Sequence, residues 1–234
     1  MPIVDVSQLK QQAAERAVGF IQSGMIVGLG VGSTALLAVR CIAQLLQAGQ
    51  LKEILGVPCS VQTAEEAERL GIPLTTLEEH PGVDLTIDGA DEIDPEFNLI
   101  KGGGGALLRE KIVAQASKRE IIIIDESKLS PVLGTVWAVP VEVIPFGWGS
   151  QTRFLESLGA KVTVRKDKNG ALYKTDQGNF ILDCGFGPIP KPAELAMKLS
   201  NRAGIVEHGL FLDIATDIIV AGKDGIRHLR REMR

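Results

Sequence analysis

Four consecutive isoleucines at positions 121–124, closed by Asp125, constrain this chain more than any other stretch. A β-branched run that is apolar at every position suits a strand covered on both faces, as a parallel strand between helices is. Shorter strand signals precede it at 25–30 (MIVGLG), 54–61 (ILGVPCSV) and 83–88, where Val83, Leu85 and Ile87 alternate. Helical patterns lie between them. Ser7 is placed to cap a helix with Leu9, Ala13, Ala17 and Phe20 on its apolar face and Gly24 beyond its end. A second helix follows GVGST, with Ala38, Ile42, Leu45 and Leu46 on one side. Thr63 and Glu66 have the spacing of a capping box for a third, which stops near Gly71. A fourth is expected over about 106–117. Repeated strand–helix units need crossovers that bury both sheet faces, so the pattern predicts a doubly wound α/β layer.

Past Ser130 the rhythm changes. A strand is expected within 137–145, then a helix capped by Ser150 and bearing Phe154, Leu155 and Leu158 up to Gly159. Strands at 161–166 and 179–184 are joined through the turn signals DKNG and DQGN. A helix opening at Pro192 and a strand at 204–207 complete a split βαβ pattern, that of a small α+β domain. The buried-strand signal at 215–222 is expected to return to the first sheet. The expected division is therefore residues 1–131 plus 208–234 in one domain and 132–207 in an inserted one. The basic tail, residues 227–234, reads as a surface helix or a subunit contact.

Composition narrows the function. Twenty-five basic against 29 acidic residues argue against a protein devoted to phosphate backbones, and 4% aromatic content is too low for a base-stacking platform. Cys41, Cys59 and Cys184 form no CxxC, and His80, His208 and His228 form no HExxH-like pattern, so no metal and no disulfide framework is expected. The N-terminal residues lack the profile of a signal segment, and no apolar run approaches a membrane span. A cytoplasmic protein with reduced thiols is expected, without nucleic-acid or membrane partners.

Three loops follow the strands of the first domain, where ligands of open α/β sheets collect. Gly30, Val31, Gly32, Ser33 and Thr34 lie between a strand and a helix. They are either a phosphate cradle on the helix N-terminus or a tight turn in which Ser33 or Thr34 is a plain cap. The dinucleotide pattern GxGxxG lacks its third glycine here, and Glu53 precedes its strand instead of ending it, so NAD binding is weakly supported. Asp88, Gly89, Ala90 and Asp91 either handle sugar hydroxyls or form a solvated acidic turn. Lys101 precedes Gly102, Gly103, Gly104 and Gly105. Four glycines are costly to order, which favours a backbone lying against a ligand over a flexible lid or helix-start turn. Arg109, Glu110 and Lys111 read as a charged helix face. Alternatively Glu110, in line with Ala106, Val113 and Ala114, is a poorly solvated carboxylate suited to general-base work.

Taken together, GVGSTA (30–35), TIDGADEID (86–94), IKGGGGALLREKI (100–112) and DESKL (125–129) resemble the A-type ribose-5-phosphate isomerase family, in order and spacing. The resemblance implies an α/β fold, a Rossmann-like doubly wound sheet with an inserted small ferredoxin-like α+β domain. It implies interconversion of ribose 5-phosphate and ribulose 5-phosphate in the non-oxidative pentose phosphate branch, without a cofactor or metal, by a homodimer or tetramer. By position it makes Glu110 the general base and Lys101 the cation beside the reacting oxygens. Asp88 and Asp91 become the acids for ring opening and hydroxyls. Val31, Gly32, Ser33 and Thr34 become the phosphate loop; Gly89, Ala90, Gly102, Gly103, Gly104 and Lys128 are further substrate contacts. Many members carry threonine where this chain has Val31. The rival readings are a non-catalytic phosphosugar-binding regulatory domain and another phosphosugar isomerase or deaminase.

Overall fold

The computed structural model describes residues 6–231. In chain order they form α1 (Val6–Val18), β1 (Ile26–Leu29), α2 (Ser33–Gln47), β2 (Leu55–Pro58), α3 (Val61–Arg69) and β3 (Leu85–Asp88). Next come β4 (Glu92–Ile93), β5 (Leu99–Ile100), α4 (Leu107–Gln115), β6 (Glu120–Asp125), a 3-10 turn (Glu126–Lys128) and β7 (Val139–Val143). The rest is α5 (Trp148–Ser157), β8 (Lys161–Val164), β9 (Phe180–Gly185), α6 (Pro192–Ser200), β10 (Ile205–His208), β11 (Leu210–Phe211), β12 (Asp217–Gly222) and β13 (Gly225–Arg230). Two compact units result. One takes the chain up to Ala90, Arg109–Lys128 and the part from Ile214 onward; the other takes Asp91–Leu108 and Leu129–Asp213.

The fold is the expected α/β one. The first unit holds a six-stranded sheet in the order β13-β12-β6-β3-β1-β2, parallel except for β13. The chain winds outward from β1 to β2 and then crosses back to β3, so the topological switch point lies between β1 and β3. The isoleucine run sits at the middle, with Ile121 paired to Ile87 and Ile219 paired to Ile123. All four isoleucines are buried, each contributing roughly 1.5–3 kcal/mol over an exposed position. Ala13 and Ala17 of α1 and Val39 and Ile42 of α2 close over Leu29, Ile87, Ile121, Ile123 and Ile219.

Gly28 faces Thr86 across the β1–β3 ladder, and a Cβ at position 28 would fall inside the Thr86 side chain. Thr86 itself is fixed by a 2.7 Å hydrogen bond to the Ser117 hydroxyl, which in turn donates to the Val113 carbonyl. At the other side of the sheet Asp217 gathers charge. Arg119 donates to both its oxygens (2.8 and 2.7 Å), with Thr216 and the His228 ring also bonded to it. Burial alone would raise the Asp217 pKa, but these hydrogen bonds outweigh it and hold the carboxyl well below the usual range. Phe20 stacks beneath, 4.3 Å from the Arg119 guanidinium carbon and 5.2 Å from the His228 ring.

In the second unit, β7-α5-β8-β9-α6-β10 form an antiparallel sheet in the order β10-β7-β9-β8, the ferredoxin-like arrangement. Val139, Val141 and Val143 pack with Leu155 of α5 and Leu199 of α6. A three-stranded sheet, β11-β5-β4, joins it. Residues 91–108, which the sequence expectation leaves in the first domain, pack with this unit because β5 pairs with β11 and the Lys101 N–H donates to the Gly209 carbonyl.

Several local expectations are corrected. Ser60, not Thr63, caps α3: its hydroxyl accepts from the Thr63 N–H, while the Thr63 hydroxyl donates to the Gly30 carbonyl. Gly147, in the left-handed region at φ 73°, precedes α5, so Ser150 lies inside the helix; Ser7 likewise lies inside α1. Residues 227–230 of the basic tail lie in strand β13, which turns back on β12 at Gly225, instead of in a helix. Its last three residues, and the first five on which the expectation of no signal segment partly rests, lie outside the described residues. No helix among the described residues is long and apolar enough to cross a membrane.

Two outcomes are expected. Gly28→Ala lowers the unfolding free energy in urea by about 1–3 kcal/mol, the usual penalty of overpacking; a loss under about 0.5 kcal/mol would show that the ladder can yield. Asp217→Asn costs about 1.5–3 kcal/mol at neutral pH, as hydrogen bonds to a charged group are lost. A carboxylate with a depressed folded pKa stabilises above its unfolded value and loses that contribution as pH falls. The gap between wild type and variant should therefore be full above about pH 5 and shrink below about pH 4.

Candidate active site

The carboxyl ends of β1 and β3 flank the switch point of the first unit. Gly30 donates its N–H to the Ile87 carbonyl at 3.0 Å, and a Cβ there would overlap that carbonyl and the Asp88 carboxylate. Asp88 is 1% exposed, and its Oδ1 accepts from the Val31 N–H (2.9 Å) and the Gly89 N–H (2.7 Å). One carboxylate thus ties the loop after β3 to the loop after β1. The Val31 amide is committed to Asp88, a task that any residue except proline can perform at that position.

Gly32, at φ 95°, precedes α2 and no side chain caps the helix. Ser33 and Thr34 therefore start the helix instead of capping it. The first turn presents backbone N–H groups and the positive end of the dipole, a ready anion site. Ser33 is exposed, and its hydroxyl accepts from the Lys10 ammonium at 3.2 Å. Nothing in the sequence around Lys10 marks this contact, because a lysine on a polar helix face carries no local signal of what it meets.

Glu110 lies in the first turn of α4 and is 5% exposed; Lys111 is equally buried. Ala106, Val113 and Ala114 are buried as well. The charged-surface reading of this segment fails for both residues, since neither side chain is exposed. Lys128 ends the 3-10 turn, partly buried, after an Asp125 whose carboxylate accepts from the Ser127 N–H at 3.0 Å.

In the second unit Asp91 and the glycine tetrad are directly joined: Asp91 Oδ2 accepts from the Gly103 N–H at 2.7 Å. A Cβ on Gly103 would come within 2.7 Å of Asp91 Oδ1. Gly102 (φ 102°) and Gly105 (φ 86°) adopt conformations that disfavour other residues, and Gly105 N–H donates to the Gly102 carbonyl. Lys101 is 2% exposed, its ammonium 5.5 Å from the centre of the Phe211 ring. A cation held in so dry a place acts strongly on any anion that reaches it. Glu92, also buried, accepts from the backbone N–H groups of Gly134, Thr135, Val136 and Trp137 and so fixes the loop before β7. Among the described residues no group of three His, Cys, Asp or Glu side chains is placed to hold a metal ion.

A family model described as ribose 5-phosphate isomerase A (phosphoriboisomerase A) matches residues 55–225. The ribose-5-phosphate isomerase A of Desulfatibacillum aliphaticivorans is 61% identical over 222 residues, covering 95% of this chain and 96% of that one. Among solved structures, ribose 5-phosphate isomerase from Plasmodium falciparum is 41% identical with a TM-score of 0.94, over 97% of this chain and 100% of that chain. A D-ribose-5-phosphate isomerase in complex with phospho-erythronic acid is 38% identical with a TM-score of 0.95, with the same coverage.

Proposed function

The chain belongs to the ribose 5-phosphate isomerase A family, and on that premise we propose how its residues interconvert ribose 5-phosphate and ribulose 5-phosphate. It is an enzyme, an aldose–ketose isomerase; relatives matching over nearly their whole length leave no support for a non-catalytic phosphosugar-binding domain.

The observation that carries the residue assignment is the burial of the Glu110 carboxylate in the helix that follows the tetrad. Once the sugar ring is open, the carboxylate of Glu110 takes the proton from C2. The bond electrons form the C1–C2 double bond and leave the C1 oxygen as an enediolate. The ammonium of Lys101 stabilises that oxygen, a fixed charge of the kind that usually contributes most. The proton of the C2 hydroxyl then passes to the C1 oxygen, and Glu110 returns its own proton to C1, giving the ketose. Asp88 assists ring opening and Asp91 orients or relays protons between the hydroxyls. The backbones of Gly89, Ala90, Gly102, Gly103 and Gly104 line the sugar. The phosphate is held by Gly32, Ser33 and Thr34 at the start of α2, and by the cations Lys10 and Lys128. The closeness of Lys10 to Ser33 supports the first of these cations.

The reaction places the chain in the non-oxidative pentose phosphate branch. We read it as a cytoplasmic homodimer or tetramer, a reading supported by family membership and by three free cysteines that suit a reducing compartment.

Glu110→Gln is expected to lower kcat by about 10²–10⁴-fold, the range of a lost general base, with ribose 5-phosphate affinity within about threefold by calorimetry. Near-normal turnover would remove Glu110 from the mechanism. Replacing Ser33 and Thr34 together by alanine should raise KM for ribose 5-phosphate about tenfold, the equivalent of one hydrogen bond to a charged group. An equal rise for unphosphorylated ribose would show that this loop does not hold the phosphate.

A further inference from the structure

The glycine tetrad is gripped from a side that the proposed chemistry does not use. Arg165 directly follows β8, and its N–H donates to the Ile181 carbonyl of β9. Asp183, also in β9, pairs in register with Thr163. Arg165 Nε donates to Asp183 Oδ2 at 3.0 Å, and its Nη2 donates to the other oxygen of the same carboxylate. The remaining terminal nitrogen, Nη1, donates to the Gly102 carbonyl at 2.8 Å and the Gly103 carbonyl at 3.1 Å. Tyr173 closes the far end. Its hydroxyl lies 3.4 Å from the Gly104 carbonyl, and a Cβ on Gly105 would overlap it. The Tyr173 ring centre is 5.9 Å from the Arg165 guanidinium, and the Tyr173 N–H donates to the Arg165 carbonyl.

We propose that Arg165, aimed by Asp183, is a positioning residue of the isomerase: it braces the carbonyls of Gly102 and Gly103 so that Lys101 and the tetrad backbone are held in reacting geometry. The inference rests on the reading that this backbone meets the reacting end of the sugar. Only a guanidinium fits the task. Its fork binds a carboxylate on one edge while the other edge reaches two carbonyls, whereas an ammonium is a point charge that cannot serve all four oxygens. Four glycines have no side chains with which to order themselves, so the order must come from outside.

The test is Arg165→Gln in the full chain, with Arg165→Lys and Asp183→Asn beside it. Amide hydrogen exchange at Gly103, Gly104 and Gly105 should quicken about tenfold or more in Arg165→Gln while exchange elsewhere is unchanged. Per folded molecule, kcat should fall about 10- to 100-fold, as for a misplacement near 1 Å. KM should stay within about threefold because the phosphate loop is untouched. Arg165→Lys should lie between, and Asp183→Asn should show the same signature more weakly, which covers the case in which Arg165→Gln does not fold. Unaltered exchange at the tetrad in these variants would show that Arg165 braces nothing. Faster exchange with wild-type kcat would show that the brace is real but the tetrad takes no part in the reaction. Either result overturns the proposal, and the exchange data tell the two apart.

Discussion

The close approach of β1 to β3 governs what the first unit can present to a ligand. Gly28 lies against Thr86 and Gly30 against Ile87 and Asp88, at positions where a side chain would push the strands apart. With the strands this near, one carboxylate at the end of β3 can reach the amide of Val31 at the end of β1. The loop leading into α2 is thereby pinned at Val31, and the helix begins with backbone N–H groups that no side chain caps. The anion-binding character of that helix start follows from two glycines and an aspartate, before any residue that would touch phosphate is considered.

The same device recurs through the acidic stretch 88–92. Asp88, Asp91 and Glu92 each gather backbone amides: two for Asp88, one for Asp91, four for Glu92. A buried carboxylate is tolerated only when hydrogen bonds replace its water, and backbone amides provide them here. These acids hold the loops in place through the amides they gather. A solvated acidic turn would have left them exposed, whereas Asp88 and Glu92 are buried.

Signals local in sequence were legible. The run at 121–124 announced the central strand, and the turn-separated pattern after Ser130 announced a split βαβ unit whose strand order is ferredoxin-like. What stayed illegible is what depends on distant partners. The two-residue strands β4, β5 and β11 are too short to show a period, and β13 reads as a charged tail because its exposed residues lack alternation. The spacing of Thr63 and Glu66 imitates a capping box, whereas the cap falls on Ser60 because it is decided by where the strand ends. Of the candidate site, the glycines, acids and Lys101 stood out by their unusual grouping. Arg165, Asp183, Tyr173 and Lys10 did not, since each is an ordinary residue of its element until the fold brings its partner to it.

That division has an energetic reason in the tetrad. Fixing a residue's backbone costs about 1–2 kcal/mol, so ordering four glycines costs about 4–8 kcal/mol. Nothing within Gly102, Gly103, Gly104 and Gly105 offsets this except one internal turn bond. Three charge-assisted hydrogen bonds, one from the Gly103 amide to Asp91 and two from Arg165 to carbonyls, contribute about 1.5–3 kcal/mol each. Their sum, about 4.5–9 kcal/mol, matches the cost. A loop with no side chains of its own is therefore held in order by charged side chains outside it, Asp91 just before β4 and Arg165 just after β8. The glycines are visible in the sequence, whereas the charges that order them are brought to the loop only by the fold.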